Sequence, residues 1–324
     1  MTKLERLVRN SVPVTFVTQK SKFIYLPGFQ GVPLYDIVIF LSDQFKKTSL
    51  LSRAKSIAYD FAMAIPAVLI CIFTIIPYLP ISKQFTIELL QLTRAITPNQ
   101  NSYNIVNNFL NDFLNTPRVG LLSFGFILVI FYASNAMLSI IKTFDISIYS
   151  QRRKMNFVKK RIKAIRLTVV VLLIFVATII LLIGQGLILD YLIKWLHLKK
   201  SHVFWIAALK WILTILLFFY SISFIYKYAP SVRKRWRTIS PGSVIATFLM
   251  VATTIGFSFW VNHFNNFNKI YGSLGSILIF MILIYLNSLI LLFGFELNLS
   301  ISTLKPEAAE RRRMHVESVK LKNN

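Results

Sequence analysis

Long uncharged stretches alternate with short charged connections along most of the chain. A transmembrane helix needs about 20 apolar residues to cross about 30 Å of hydrocarbon. Five uncharged runs reach that length, at 61–82, 119–141, 167–189, 238–268 and 270–295. Each of these runs therefore predicts a helix that spans a bilayer.

A sixth segment, 203–226, is equally apolar but contains one charge, Lys210, about two helical turns inside its start. A lysine at that depth reaches the nearer interface with its long side chain, so the segment still predicts a span. We therefore expect an all-α integral membrane protein with six transmembrane helices. The expected spans lie at about 58–79, 119–141, 166–188, 203–226, 241–262 and 273–297.

The connections between the spans carry shorter patterns. Residues 33–45 place apolar side chains at helical spacing behind Pro33, which predicts an amphipathic helix on the membrane surface or under the bundle. The connection 80–118 predicts short helices in the first outer loop. We divide the chain into an N-terminal segment 1–55, a transmembrane domain 56–298 and a basic tail 299–324.

The apolar composition agrees with a membrane protein, although the net charge alone would suggest a protein that binds nucleic acid. Hydrophobic residues make up 55% of the chain, which excludes disorder, and Cys71 is its single cysteine, which excludes a disulfide-stapled module. The 37 Lys and Arg residues against 12 Asp and Glu give a net charge of +25, a value typical of nucleic-acid binding. The positions of the charges decide between these interpretations.

The basic residues are concentrated in alternate connections. Residues 1–55 hold nine, 142–166 nine, 227–240 five and 305–324 six, so 29 of the 37 lie in these four segments. The positive-inside rule then predicts that both termini are cytoplasmic. Because a soluble nucleic-acid binder has no reason to distribute charge in this way, we expect no nucleic-acid partner.

The surplus of basic charge predicts contact with membrane lipid. In 152–166 apolar residues recur at helical spacing among basic ones, which indicates a basic amphipathic helix that leads into the third span. Such a helix attracts anionic inner-leaflet headgroups, or its charges only set the topology. The candidate headgroup residues are Arg152, Arg153, Lys159, Lys160, Arg161, Arg233, Arg235 and Arg237.

Polar residues inside the spans are candidate functional groups, because an ionisable side chain at bilayer depth normally faces the protein interior. The candidates are Asp60, Asn135, Gln185, Lys210, Asn287 and Glu296. Asp60 and Glu296 fall on the same side, where each either pairs with a base of 227–240 or takes part in gating or proton coupling. The amides form interhelical hydrogen bonds or contact a substrate. Lys210 either attracts an anion or extends to the interface.

Segments 229–242 (APSVRKRWRTISPG) and 271–296 (YGSLGSILIFMILIYLNSLILLFGFE) give a more specific indication. With the first span, they resemble the YihY/virulence factor BrkB family of bacterial inner-membrane proteins, over about residues 50–300. The residues that carry the resemblance are Pro66, Pro230, Pro241, Gly242, Tyr271, Gly272 and Gly294. The chain departs from the family pattern at Phe295, where alanine is usual, and near Tyr285, where tryptophan is common.

The resemblance implies a six-helix protein of the inner membrane and carries an old family name, ribonuclease BN. The residues argue against that activity, because a metal-dependent nuclease needs clustered ligands. The four histidines are scattered, at His197, His202, His263 and His315. We therefore expect no catalytic residue, metal or cofactor.

Two functions from different classes stay open at this point. A transporter or lipid translocase would move an anionic lipid or small solute through a polar cavity lined by Asn135, Gln185 and Lys210. A non-transporting scaffold that maintains the envelope would instead have a dry bundle centre. The sequence does not decide whether the chain forms homo-oligomers or binds other envelope proteins.

Overall fold

The fold was analysed in a computed structural model of the chain. The structure describes residues 24–25, 28–75, 78, 104, 107–108, 119–148, 155–183, 203–232, 236–263 and 273–323. Its long helices are α1 (Leu34–Thr48), α2 (Leu50–Ile75), α3 (Val119–Ser147), α4 (Phe157–Ile183), α5 (Val203–Tyr228), α6 (Pro241–His263) and α7 (Ser273–Asn323). The predicted helices of the connection 80–118 lie almost wholly outside the described residues.

Local sequence explains where two of these helices begin or end. Helix α1 ends at Ser49, which has a left-handed backbone with φ of 45°, so the chain turns directly into α2. Helix α6 starts at Pro241 behind Ser240, whose Oγ accepts a hydrogen bond from Ser243 N at 3.3 Å. Ser240 is therefore the N-cap of α6, with proline at the first helical position.

Five helices in the described part of the chain are long and apolar enough to cross a membrane. They cover Leu50–Ile72, Val119–Ser147, Trp211–Tyr228, Pro241–Val261 and Leu278–Arg311. Helix α4 is also long, but basic residues occupy its first turns. Its uncharged part extends to Ile183, which is the last described residue of this segment. The chain is therefore an all-α membrane protein, and a sixth span on α4 stays a prediction.

The helices α2 to α7 follow one another around a ring. Each packs against the next helix in sequence, and α7 packs back against α2, while α1 lies against α7. At one end of the ring α2, α4 and α6 begin and α3 and α5 end; we call this the basic end. Side chains from all six helices meet there, so the basic end is where the core forms.

Aromatic packing closes the basic end. Phe144 of α3 and Phe295 of α7 are fully buried and stack with their ring centroids 3.7 Å apart. Tyr226 and Trp236 pack against the Phe295 ring from α5 and from the connection that follows it. Towards the other end, large apolar side chains face outward, as membrane helices require. Examples are Ile127, Leu173, Trp211 and Phe259, each more than 60% exposed.

Helices α6 and α7 touch backbone to backbone at two glycines. A methyl group built on Gly242 would lie 2.0 Å from the carbonyl oxygen of Gly294. One built on Gly294 would lie 2.4 Å from the hydroxyl oxygen of Tyr226. Small residues permit such close helix approach in membranes, so these two glycines of the resemblance fix the α6–α7 crossing.

The last helix does not stop at the end of its predicted span. Helix α7 continues from the membrane segment through Pro306 to Asn323, so the described part of the basic tail is helical. Arg311 of this extension forms an exposed ion pair with Asp36 of α1, 3.0 Å from Nη1 to Oδ2. The boundary predicted near 298 therefore falls inside a continuous helix.

Candidate functional site

A polar groove of about 390 Å³ lies between α2 and α3. Its walls are mostly hydroxyl, amide and charged groups, from Ser52, Arg53, Ser56, Asp60, Asn135, Ser139, Lys142 and Thr143, with Leu138 and Ile146. The serines of the two helices also meet directly, with Ser56 Oγ 3.3 Å from Ser139 Oγ. Small polar residues at this crossing leave room that larger apolar side chains would fill.

The groove runs from the basic end into the depth of the bundle. Lys142 is exposed near its mouth, one turn before α3 ends. Asp60 lies ten residues into α2 and Asn135 twelve residues before the end of α3, which places them about 15 and 18 Å from the helix ends at 1.5 Å per residue. The polar lining of the groove therefore extends well past the helix ends into the bundle.

A buried ion pair stands beside the groove. Arg53 of α2 donates from Nη1 to Glu296 Oε1 of α7 over 3.1 Å, and the two side chains are 7% and 0% exposed. Arg53 Nη2 also donates to the Thr143 carbonyl and to Ser147 Oγ, each at 2.6 Å. Ser147 Oγ in turn donates to Glu296 Oε1. The network joins the first, second and last membrane helices.

The network is incomplete within the part of the chain that the structure describes. Arg53 Nε and Glu296 Oε2 are buried there without a hydrogen-bond partner. A buried polar atom left unpaired costs about 1–3 kcal/mol, and more when the group is charged. This residual hydrogen-bonding capacity makes the pair suited to receive a further polar group.

The sequence leaves two interpretations open for Glu296, an ion pair with a base of 227–240 or a part in gating or proton coupling. The structure pairs Glu296 with Arg53, because the start of α2 packs against α7 at the depth of Glu296. Asp60, the other acidic candidate, lies in the α2–α3 groove.

The predicted polar amides divide into different roles. Asn135 Oδ1 accepts a hydrogen bond from Arg161 of α4, so it joins two helices as predicted. Asn287 Nδ2 instead donates within its own helix, to Leu283 O at 3.1 Å, because that carbonyl lies one turn back on α7. Gln185 and the Lys210 side chain lie outside the described residues, and with them most of the predicted Asn135, Gln185 and Lys210 cavity.

A second network joins α3, α4 and the connection after α5. Asp145 is buried, and its Oδ2 pairs with Lys160 Nζ at 2.6 Å while its Oδ1 accepts from Ser231 N at 3.0 Å. Arg161, besides reaching Asn135, lies over the Phe131 ring at 5.1 Å. Lys160 and Arg161 therefore hold helices together, which corrects their assignment to the lipid-facing set.

Other members of the predicted headgroup set stay at the surface. Lys159 and Arg237 are exposed. Arg152, Arg153, Arg233 and Arg235 lie outside the described residues, as do Tyr271 and Gly272 of the family resemblance. Pro230 is buried, and its carbonyl accepts from Lys163 Nζ at 3.1 Å. Pro66 lies exposed inside α2.

Sequence reasoning missed Arg53, Lys142 and Asp145 as site residues. Arg53 and Lys142 enter the sequence analysis only among the basic residues that set topology, and Asp145 is not singled out there. The available signal was helical spacing: Arg53, Ser56 and Asp60 recur at three- and four-residue intervals, which places them on one face of α2. Among the described residues, no three His, Cys, Asp or Glu side chains are grouped to hold a metal.

The fold and the groove define a polytopic all-α membrane protein with a polar site at one end of its bundle. The family model for virulence factor BrkB matches residues 41–318, so the chain belongs to that family.

Known relatives agree with this assignment. The chain is 30% identical to the putative ribonuclease-like protein YfkH of Bacillus subtilis over 269 residues, which cover 80% of this chain and 94% of that protein. It is 35% identical over 75 residues to a UPF0761 membrane protein of Tolumonas auensis, covering 23% of this chain and 25% of that protein. The UPF0761 membrane protein XCC0860 of Xanthomonas campestris is 34% identical over 107 residues, 32% of this chain and 25% of that protein. No solved structure matches the chain.

Proposed function

We propose that this protein is a transporter or lipid translocase of the bacterial inner membrane, and that the α2–α3 groove carries the headgroup of an anionic lipid or a small anionic solute. The observation that carries the proposal is the groove itself. It is polar, the exposed Lys142 and the buried Arg53–Glu296 pair lie near its basic end, and Asp60 and Asn135 line its deeper part. Its volume of about 390 Å³ lies in the range of about 300–1,000 Å³ that small-molecule sites occupy.

Electrostatics favours an anion at the mouth of the groove. Lys142 attracts the negative group, and the hydroxyls of Ser52, Ser56 and Ser139 replace water as hydrogen-bond donors. A lipid would keep its acyl chains in the membrane while its headgroup follows the polar path. This arrangement avoids the cost of taking a charge through hydrocarbon.

The Arg53–Glu296 pair acts as a gate in this proposal. Arg53 lines the groove, and an arriving anion competes with Glu296 for its guanidinium. Because Glu296 belongs to α7, loosening the pair loosens the contact between α2 and α7. Binding at the groove would thereby change the packing of the first and last helices.

Lipid movement in vesicles tests the proposal. We would reconstitute the full chain in vesicles that contain fluorescent phosphatidylglycerol and follow the accessibility of the label to an external quencher. Wild type is expected to accelerate lipid exchange, and Lys142→Gln to slow it about fivefold, from a contribution of about 1 kcal/mol per basic residue near the surface. Lys55→Gln removes the same charge from exposed α2 surface outside the groove and serves as the control.

The same vesicles, loaded with labelled inorganic phosphate, separate a solute from a lipid. Phosphate release without lipid exchange would assign the groove to a small anion. If neither species moves faster than in protein-free vesicles while the protein stays folded, the transport proposal fails for both classes.

The alternative function is a non-transporting scaffold of the envelope. Two paired groups favour it, because Asp145 with Lys160 and Asn135 with Arg161 satisfy one another between α3 and α4 and hold these helices together. A scaffold predicts no lipid or phosphate movement and unchanged behaviour of Lys142→Gln. Both proposed functions place the two termini in the cytoplasm.

We propose no ribonuclease activity for this chain, although the name of its Bacillus subtilis relative refers to one. The proposal rests on the scattered histidines of the sequence, which offer no ligand spacing for a hydrolytic metal. Incubation of the purified protein with labelled RNA and divalent metal tests it, and specific cleavage would overturn it.

A further inference from the structure

A second pocket, of about 720 Å³, opens between α4 and α5 at the basic end. It is separate from the α2–α3 groove, and none of the described residues lines both. We infer that this pocket binds one anionic phospholipid, with the phosphate among Lys159, Lys163 and Arg166 and an acyl chain against α4 and α5.

Along α4, the side chains that line the pocket change from basic to apolar with distance from the basic end. Lys159, Lys163, Arg166 and Val170 follow at intervals of four, three and four residues, so they lie on one face of the helix. The three bases extend over about 10 Å of helix, and the apolar residue comes next. A phospholipid presents the same order, from charged headgroup to hydrocarbon.

The opposite wall of the pocket comes from the end of α5 and from the connection that follows it. Phe224 contributes apolar surface to this wall, while Tyr228, Pro230 and Ser231 follow towards the basic end. Lys163 Nζ donates to the carbonyls of Ala229 and Pro230 at 2.8 and 3.1 Å, which holds this connection beside α4. The pocket is therefore built by packing of the protein.

A buried hydroxyl in the pocket wall points to a polar ligand. Ser231 is 3% exposed and lines the pocket, and its Oγ has no hydrogen-bond partner among the described residues. Its backbone N–H is already used by Asp145. A phosphate oxygen would accept from Ser231 Oγ, which removes the cost of an unpaired buried donor.

The basic side chains at the pocket differ from the neighbouring bases of α4 in the groups that they face. Lys160 and Arg161, the neighbouring bases on α4, point to Asp145 and Asn135 of α3. Lys159 and Arg166 are exposed at the pocket instead, and among the described residues no carboxylate belongs to its lining. Three positive groups without a lining acid favour an anionic headgroup over a zwitterionic one.

Native mass spectrometry of the full chain in a neutral detergent tests the inference, with phosphatidylglycerol and phosphatidylcholine as probes. The double variant K159Q/R166Q is expected to bind phosphatidylglycerol about thirtyfold more weakly than wild type, from two bases at about a fivefold contribution each. Phosphatidylcholine binding is expected to stay unchanged. The variant S231A, which keeps all charges, is expected to weaken phosphatidylglycerol about fivefold, as loss of one hydrogen bond implies.

The matched control is K305Q/R313Q, which removes two exposed bases from the α7 extension. Equal phosphatidylglycerol affinity in wild type and K159Q/R166Q would overturn the inference, as would an equal loss in the control. Millimolar inorganic phosphate is expected not to displace the lipid; displacement would assign the pocket to a free anion. These outcomes do not depend on whether the protein transports anything.

Discussion

Arg53 on the first membrane helix and Glu296 on the last form an ion pair, 3.1 Å from Nη1 to Oε1, in which both side chains are buried. The residues are 243 positions apart in the chain, so the contact closes the ring of helices. A buried pair of this kind is costly to desolvate and still more costly to break, because the remaining buried charge loses its oppositely charged partner.

We therefore expect Arg53→Gln to reduce the free energy of unfolding by about 3–5 kcal/mol, since Glu296 then lies buried without its positively charged partner. Unfolding by a denaturing detergent in mixed micelles measures the change. The exposed pair of Arg311 and Asp36 gives the control, and Arg311→Gln should cost less than about 1 kcal/mol. Similar losses for the two substitutions would mean that burial does not set the strength of the Arg53–Glu296 pair.

The contact between Gly242 and Gly294 leads to a second expectation. Gly242→Ala places a methyl group 2.0 Å from a backbone carbonyl, which cannot move aside without shifting α7. Such overpacking should cost at least about 3 kcal/mol. Gly256→Ala on the same helix meets nothing within 4 Å and should be neutral or stabilising by up to about 1 kcal/mol. Thermal unfolding of both variants in detergent provides the comparison, and a tolerated Gly242→Ala would contradict the close crossing.

Much of the fold was predictable because hydrophobic length dictates membrane helices. The uncharged runs and Ser240–Pro241 predict helices where the structure has them, and the membrane class and family are confirmed. The partners of buried charges were not predictable in the same way. Arg53 and Glu296 meet only because α7 returns to α2, and no local pattern encodes that contact.

The functional candidates show the same division. Asp60 and Asn135 were found from their depth in the spans, and the structure places both in one groove. The Lys160 and Arg161 side chains were misassigned because a helical wheel shows which residues share a face, but not which neighbour covers that face. The pocket at Lys159 and Arg166 depends on α5 packing beside α4, which sequence periodicity alone does not reveal.

Phe295 stands where the family usually has alanine, and in this chain its ring is part of the packed core. Its ring is fully buried and stacks on Phe144 at a centroid distance of 3.7 Å. Phe295→Ala should therefore cost about 3–5 kcal/mol through the cavity it leaves at the basic end. Phe259→Ala, at a position 63% exposed, should cost far less because lipid replaces the ring. Detergent unfolding of the two variants checks the difference, and equal losses would count against a packed aromatic core.

Orientation in the membrane is tested by single-cysteine labelling. In a Cys71→Ala background, a cysteine at Asn101 is expected to react with a membrane-impermeant maleimide from outside intact cells. A cysteine at Ser150, next to the basic segment 152–166, should react only after the cells are permeabilised, because basic connections stay on the cytoplasmic side. The reverse pattern would place the basic end outside the cell. The pocket between α4 and α5 would then face the outer leaflet, and the groove would open on the opposite side from the one proposed.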